Sequence, residues 1–167
     1  PQVVEEVHSI LGGFVQEGDT VIDATCGLGR DTLYLAQCVG ERGQVYAFDI
    51  QETACRQTQS ALQVAQMEKQ VHIICENHVN IKKYVQTPIR AAVFNLGYLP
   101  NGNRHIVTKA ENTILAIQCC MDLLLPEGII ILAVYTGHEG GKEEAAQIEQ
   151  FLHQMPATSW QAIKKQI

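Results

Sequence analysis

Two hydrophobic patterns alternate along this chain: short unbroken apolar runs, and longer stretches in which apolar residues recur every third or fourth position. The first pattern is typical of buried strands and the second of amphipathic helices. The apolar runs predict five strands, over Thr20 to Asp23, Gln44 to Asp49, Val71 to Cys75, Arg90 to Phe94 and Ile129 to Tyr135. Trp160 to Ile167 is expected to form a sixth. The periodic stretches predict helices over Val3 to Leu11, Asp31 to Gln37, Gln51 to Ala65, Val79 to Tyr84, Thr108 to Leu125 and Lys142 to His153.

Alternating strands and helices indicate an α/β fold with two β-α-β-α-β halves. We therefore expect a Rossmann-like, mostly parallel sheet in the order 3-2-1-4-5-6, with helices on both faces and residues 1–167 in a single domain. The order reverses between strands one and four, where open sheets of this kind bind their ligands. The two most informative loops, after Asp23 and after Phe94, both leave the sheet at this point.

The first of these loops is typical of a cofactor site. Gly27 and Gly29 let the backbone approach a ligand, and the helix that follows can accept an anionic group. A dinucleotide fingerprint requires a third glycine where Thr32 stands, so a ligand without pyrophosphate fits better. Asp23 is placed to receive a cationic group, directly or through water, and Asp49 ends strand two where ribose hydroxyls bind. Since NAD and S-adenosylmethionine sites share the second acid, it supports a nucleoside without choosing between them.

The second loop, Asn95-Leu-Gly-Tyr98, suits an amine acceptor. The Asn95 amide oxygen and the carbonyl of Leu96 can accept the N–H bonds of an amine and point its lone pair at a methyl group. Positioning of this kind contributes about 7–11 kcal/mol in favourable cases. Tyr98 can flank a planar base or enclose the developing positive charge. The alternative is an ordinary turn with a packed tyrosine.

Histidines and an asparagine form a second group of candidates. Asn77 and His78 follow strand three, where they would contact an adenine or simply cap the next helix. His8 lies in the first helix and is either a packed residue or part of the cofactor mouth. By spacing alone, His138 in its glycine-rich loop reads as a solvent-exposed side chain.

Composition narrows the choice of partners. The chain has 167 residues, 46% of them hydrophobic, and a net charge of −6, which argues against broad adhesion to nucleic acid. An RNA substrate then needs a local basic patch, either Lys82, Lys83 and Arg90 or Arg104 with Lys109, unless these are ordinary surface charges. The six cysteines contain no C-x-x-C pair, which predicts small buried residues in a reduced, cytoplasmic protein without a metal site. No apolar run approaches the roughly 20 residues of a membrane span.

Four ordered motifs resemble a known family. Residues 23–32 (DATCGLGRDT), 47–51 (AFDIQ), 94–100 (FNLGYLP) and 135–144 (YTGHEGGKEE) are similar to the rRNA methylase family of class I methyltransferases. Some of its members are tRNA wobble-uridine methyltransferases that act on the 5-aminomethyl group of (2-thio)uridine 34. The resemblance implies S-adenosylmethionine at Asp23, Cys26, Gly27, Gly29, Asp31, Asp49, Ile50, Gln51, Asn77, His78, Asn95 and Leu96. It implies catalytic roles for Asn95 and Tyr98, and substrate contacts at Leu96, Gly97, Tyr98, Arg104 and His138.

The sequence also departs from the family. Leu28 replaces a polar residue of the glycine loop, which removes one cofactor hydrogen bond. Related chains continue into a seventh, antiparallel strand between strands five and six, whereas this sequence ends at Ile167. We therefore expect an unpaired sheet edge or a surface covered by another subunit.

Several functions remain open on the sequence. The leading expectation is methylation of a tRNA wobble uridine, with rRNA or a small amine as the alternative acceptor. A catalytically silent S-adenosylmethionine-binding subunit is disfavoured by the complete acceptor motif, and an NAD-dependent oxidoreductase is disfavoured by Thr32. A homodimer that pools two basic patches would offset the acidic charge.

Overall fold

The computed structural model describes residues 2–97, 110–137 and 139–167. Its helices are α1 (Gln2–Gly12), α2 (Arg30–Val39), α3 (Glu52–Ala65), α4 (Ile81–Tyr84), α5 (Ala110–Leu123) and α6 (Gly141–His153), with short 3-10 turns at Glu68–Gln70 and His78–Asn80. Its strands are β1 (Thr20–Asp23), β2 (Gln44–Phe48), β3 (Val71–Ile74), β4 (Ile89–Leu96) and β5 (Leu124–Val134). None of the helices in the described ranges has the length and apolar character needed to cross a membrane.

The five strands form one parallel sheet in the order β3-β2-β1-β4-β5, which confirms the predicted order of the first five strands. Asp23 at the end of β1 is level with Ala47 in β2 and Val93 in β4. Asn95 lies two residues beyond that level on β4, so the acids and the amide that the sequence singles out share one edge of the sheet.

Successive residues of the central strands enter two different cores, because side chains alternate across a sheet. Val21 packs on one face with Leu11 of α1 and Leu35 of α2, while Ile22 packs on the other with Ile117 of α5 and Ile148 of α6. The helices therefore cover both faces, as predicted.

The boundary between α5 and β5 differs from the prediction. The helix was expected to run to Leu125 and the strand to begin at Ile129, but the helix ends at Leu123 and the strand begins at Leu124. Glu127 has a φ of 67°, and the register against β4 shifts between Ile89 and Ala91. The Pro-Glu-Gly segment thus forms an irregularity within the strand, which sequence periodicity does not reveal.

The predicted strand over Trp160 to Ile167 is not formed. A strand requires a neighbour to accept its ladder bonds, and this segment is instead tied to helices by Lys164 with Glu149 of α6 at 2.6 Å and Lys165 with Glu6 of α1 at 2.7 Å. Its Ile163 is 85% exposed and residues 161–167 are all exposed, so the segment beyond the half-buried Trp160 packs no apolar side chain into a core. Among the described strands, β5 is consequently an edge.

Candidate active site

Two glycines shape the loop between β1 and α2. Gly27 and Gly29 have φ values of 52° and 88°, a region that L-residues rarely adopt. A Cβ at Gly29 would lie 3.1 Å from both Cα and Oγ1 of Thr58 in α3. The Thr58 hydroxyl also donates to the carbonyl of Gly27 at 3.1 Å. The loop is therefore packed directly on α3, and no side chain caps the start of α2, which leaves this helix end suited to an anionic group.

Asp49 anchors the same loop from the neighbouring strand. Its carboxylate accepts the backbone N–H of Gly27 and of Gln51, both at 3.0 Å. Burial raises the pKa of Asp49, and these N–H groups partly offset the effect. Each carboxylate oxygen keeps a second lone pair that a ribose hydroxyl can use. Ile50 beside it is 46% exposed and offers apolar surface to a base.

Asp23 lies beneath the loop rather than at its surface. It has no exposed surface, and its oxygens accept the Thr32 hydroxyl at 2.6 Å and the Thr25 N–H at 3.3 Å. Burial, with a further contribution from the charge of Asp31, raises the pKa of Asp23 to about 8. The sequence suggested that Asp23 could contact a cationic group directly. Its carboxylate is fully buried and bonded to Thr32, so it has no exposed oxygen for such a contact. Its part in cofactor binding stays a prediction, through the loop that it supports.

Asn95 is held at both its backbone and its side chain. Its N–H donates to the hydroxyl of Thr25 at 2.6 Å, and its side-chain Nδ2 donates to Oδ2 of Asp31 at the start of α2. The acceptor strand β4 is thereby joined to the cofactor loop across the point where the strand order reverses. Sequence reasoning missed Thr25, although a hydroxyl two residues beyond a strand-ending acid is a signal for this kind of link.

His8 completes this group from α1. Its Nε2 lies 2.7 Å from Oδ1 of Asp31, and its ring stacks on Tyr34 of α2 with centroids 4.1 Å apart and planes 5° from parallel. Of the two interpretations that the sequence left open for His8, the stack on Tyr34 fits a packed residue, while the bond to Asp31 brings the ring next to a predicted cofactor residue. A place at the mouth of the cofactor site therefore stays a prediction. No spacing in the sequence signals a contact between residues 23 positions apart.

The residues after Asn95 are partly described. Leu96 is fully buried and its carbonyl accepts the N–H of Tyr135 at 3.3 Å, so only the second lone pair of that carbonyl is left for an acceptor amine. Gly97 is the last described residue of the motif. The predicted substrate residues Tyr98, Arg104 and His138, together with Lys109, lie outside the described residues.

Asn77 and His78 follow the end of β3 and contact the segments next to the site. Asn77 Oδ1 accepts the N–H of Val79 at 3.0 Å, so the capping interpretation is confirmed. Nδ1 of His78 lies 3.1 Å from the carbonyl of Ala24, and burial lowers its pKa. His78 is only 7% exposed, and any contact of these two residues with an adenine stays a prediction.

Three cysteines meet beside the cofactor loop. The Cys55 thiol donates to the carbonyl of Asp49 at 3.6 Å. The neighbouring Cys26 thiol lowers the pKa of Cys55 to about 7, and Cys55 raises that of Cys26. The exposed Cys75 is a further neighbour of Cys55. The expectation of buried cysteines holds for Cys26, Cys55 and Cys120 but is wrong for Cys75. Among the described residues, no group of histidines, cysteines and acids has the arrangement of a metal site.

The first predicted basic patch stays a prediction, and its three cations all lie near acids. Lys82 pairs with Asp122 at 2.5 Å, and Arg90 lies 4.0 Å from Asp19. Lys83 is likewise 4.0 Å from Glu76. Each cation thus has an acidic neighbour that weakens its attraction for phosphate.

Comparisons with known proteins agree with this geometry. The sequence model of the family described as "Putative rRNA methylase" matches residues 45–167. A structure from Clostridium thermocellum described as "putative rRNA-methylase" is 42% identical, with a TM-score of 0.91 over 93% of this chain and 83% of that one. A Streptococcus mutans protein described as a "putative methyltransferase" and solved with SAH is 34% identical, with a TM-score of 0.84 over the same shares.

A curated relative extends the comparison to function. The chloroplastic tRNA (mnm(5)s(2)U34)-methyltransferase of Arabidopsis thaliana is 38% identical over 176 residues, which cover 99% of this chain. This chain spans 64% of the length of that relative.

Fold and relatives together place this chain in the class of proteins with the class I methyltransferase fold. Within that class, the chain belongs to the rRNA methylase family.

Proposed function

We propose that this protein methylates the 5-aminomethyl group of a wobble uridine in tRNA, with S-adenosylmethionine as the methyl donor. The observation that carries the proposal is the clamp on Asn95, whose backbone and side chain are both bonded to the cofactor side of the site. The Arabidopsis relative bears the name of this activity.

The described residues fit S-adenosylmethionine. The tight turn at Gly29 brings backbone N–H groups to the edge of the sheet, and Asp49 has lone pairs for a ribose. Exposed Ile50 offers a surface for an adenine. When bound, this cofactor supplies an electrophilic methyl group on a sulfonium.

Asn95 then orients the acceptor. Its Oδ1, with the Leu96 carbonyl, accepts the N–H bonds of a neutral amine and directs the nitrogen lone pair to the methyl carbon. Bound S-adenosylmethionine would supply the methyl group to that nitrogen and leave as SAH, and the product ammonium would release a proton to solvent. Because a neutral amine is a good nucleophile, positioning is the main contribution of these residues.

The test is transfer of labelled methyl to tRNA from cells that lack the homologous enzyme, followed by nucleoside mass analysis. We expect a gain of one methylene confined to 5-aminomethyl-uridines. Asn95→Ala should abolish transfer while SAH binding by calorimetry survives. Unchanged turnover in Asn95→Ala would remove the orienting role.

Because the net charge of the protein is −6, methyl acceptors other than tRNA are also tested. Transfer to rRNA or to small primary amines, with none to tRNA, would overturn the tRNA assignment but retain the chemistry. SAH binding without transfer to any acceptor would favour a silent cofactor-binding subunit.

A homodimer is part of the same proposal, because the net charge of −6 leaves one chain little positive surface for RNA. Two copies would pool their cations on one RNA. Light scattering across a concentration series measures the state directly, and a fully active monomer would contradict the dimer.

A further inference from the structure

We infer that Asp31, held in place by His8, decides which end of the Asn95 amide faces the acceptor, so that both are positioning residues for methyl transfer. The inference rests on the proposed function. It concerns three elements that meet at one carboxylate: α1, α2 and β4.

The Asn95 side chain needs such a device because its two ends are nearly equal in shape but opposite in chemistry. The oxygen accepts hydrogen bonds, whereas the NH2 group donates them. An amine acceptor is bound through its N–H bonds only if the oxygen faces it. If the NH2 group faced the acceptor instead, it would donate a hydrogen bond to the lone pair of the amine nitrogen. That lone pair would then not be free to attack the methyl group.

Asp31 makes one orientation the favoured one. An ionised carboxylate only accepts hydrogen bonds, so the NH2 end of Asn95 is the end that can face it. Asp31 is 6% exposed and has little access to water that could substitute for this partner. The Thr25 bond to the Asn95 backbone holds the residue at the same level of the sheet.

His8 secures the other carboxylate oxygen. Since that oxygen only accepts, Nε2 of His8 is the donor at 2.7 Å. The stack on Tyr34 sets the plane of the His8 ring and hence the direction of its N–H. Tyr34 is in turn confined by the end of α1, since a Cβ at Gly12 would lie 2.2 Å from its hydroxyl. The helix that precedes the sheet thereby reaches the acceptor amide through one carboxylate.

The family match does not assign these roles. It begins at residue 45 and includes Asn95 but neither His8 nor Asp31. From the sequence, Asp31 was expected at the cofactor, and a test must separate that role from the one inferred here.

The variants separate the effects of the Asp31 charge, the His8 hydrogen-bond donor and the His8 ring. Asp31→Asn keeps the shape but replaces one acceptor oxygen by a donor, so it can no longer accept from both neighbours. His8→Phe keeps a ring for the Tyr34 stack and removes the donor, whereas His8→Gln restores an N–H at a similar reach. Ser9→Ala, at an exposed neighbouring position, is the matched control on α1.

Three measurements are made on each variant: steady-state methyl transfer, SAH affinity by calorimetry, and the 15N spectrum of the Asn95 side-chain amide, assigned by its loss in Asn95→Ala. We expect kcat to fall about 100-fold in Asp31→Asn, as for a misplaced reacting group. In His8→Phe, kcat should fall about 10-fold, because one hydrogen bond to a charged group is lost. In His8→Gln, kcat should recover. SAH affinity should change less than threefold, and the Asn95 amide resonances should shift in Asp31→Asn.

Other results would overturn the inference. A loss of SAH affinity that matches the loss of rate would assign Asp31 to the cofactor. Unmoved Asn95 resonances in Asp31→Asn would show that the carboxylate does not set the amide, whatever the acceptor. Failure of the wild-type protein to methylate tRNA would refute the proposed function instead, and the amide spectrum would still decide the orientation.

Discussion

Gly29→Ala tests how closely the cofactor loop must approach α3, and Gly18→Ala is its matched control. Both glycines have nearly the same left-handed backbone, with φ of 88° and 90°. Added carbon at Gly18 meets nothing within 4 Å, whereas at Gly29 it meets the Cα of Thr58 at 3.1 Å. The pair therefore separates the cost of the backbone conformation from the cost of the contact.

The expected magnitudes follow from these two terms. A left-handed conformation costs an L-residue about 1–2 kcal/mol, offset by about 0.4–1 kcal/mol because alanine restricts the unfolded chain. Gly18→Ala should therefore lower the free energy of unfolding by about 1 kcal/mol. Gly29→Ala adds about 1–3 kcal/mol of overpacking, since backbone atoms of α3 must move. At roughly 2–4 °C per kcal/mol for a chain of this size, the Tm of Gly29→Ala should fall by about 10 °C and that of Gly18→Ala by about 3 °C.

Urea unfolding and SAH calorimetry on the two variants provide the readout. Gly29→Ala should also lose at least about tenfold in SAH affinity, because the moved loop carries the Gly27 N–H that binds Asp49. Gly18→Ala, remote from the site, should bind normally. Equal losses of stability in the two variants would show that the Thr58 contact imposes no constraint, and normal SAH binding by Gly29→Ala would refute the link between loop geometry and cofactor.

Three further outcomes are expected. The pKa of Asp23 is raised from 3.8 to about 8, so between these pH values the folded protein keeps a proton that the unfolded chain has lost. The free energy of unfolding should therefore fall as pH rises through this range. Urea unfolding should show a flatter pH profile for Asp23→Asn than for the wild type, and identical profiles would contradict the burial argument. Iodoacetamide labelling followed by peptide mass analysis should give a pH midpoint near 7 for Cys55. Partial desolvation and the Cys55 contact raise the pKa of the exposed Cys75 to about 11, so its midpoint should be far more alkaline. Coinciding midpoints would refute the thiol contact. Arg30→Ala, at the exposed start of α2, should weaken RNA binding and reduce its salt slope by about 1, whereas Lys69→Ala, at the opposite edge of the sheet, should change neither.

Much of the fold was predictable because local patterns specify it. The apolar runs ending at Asp23 and Phe94 marked central parallel strands, and right-handed crossovers then restrict their order. The glycines at 27 and 29 marked a turn that only small residues permit, and their φ values confirm it. In each case the signal lies within a few residues of the feature it predicts.

The sequence by itself therefore determined the order of strands and helices, the loop at the point where the strand order reverses, and the chemical groups available there. Tertiary structure alone decided how those groups are paired. It buried Asp23 under Thr32, tied Lys164 and Lys165 to helices in place of a sixth strand, and brought His8 to Asp31. The physical reason is that hydrogen bonds and ion pairs between distant residues depend on how whole elements pack, and no periodicity along the chain encodes that distance.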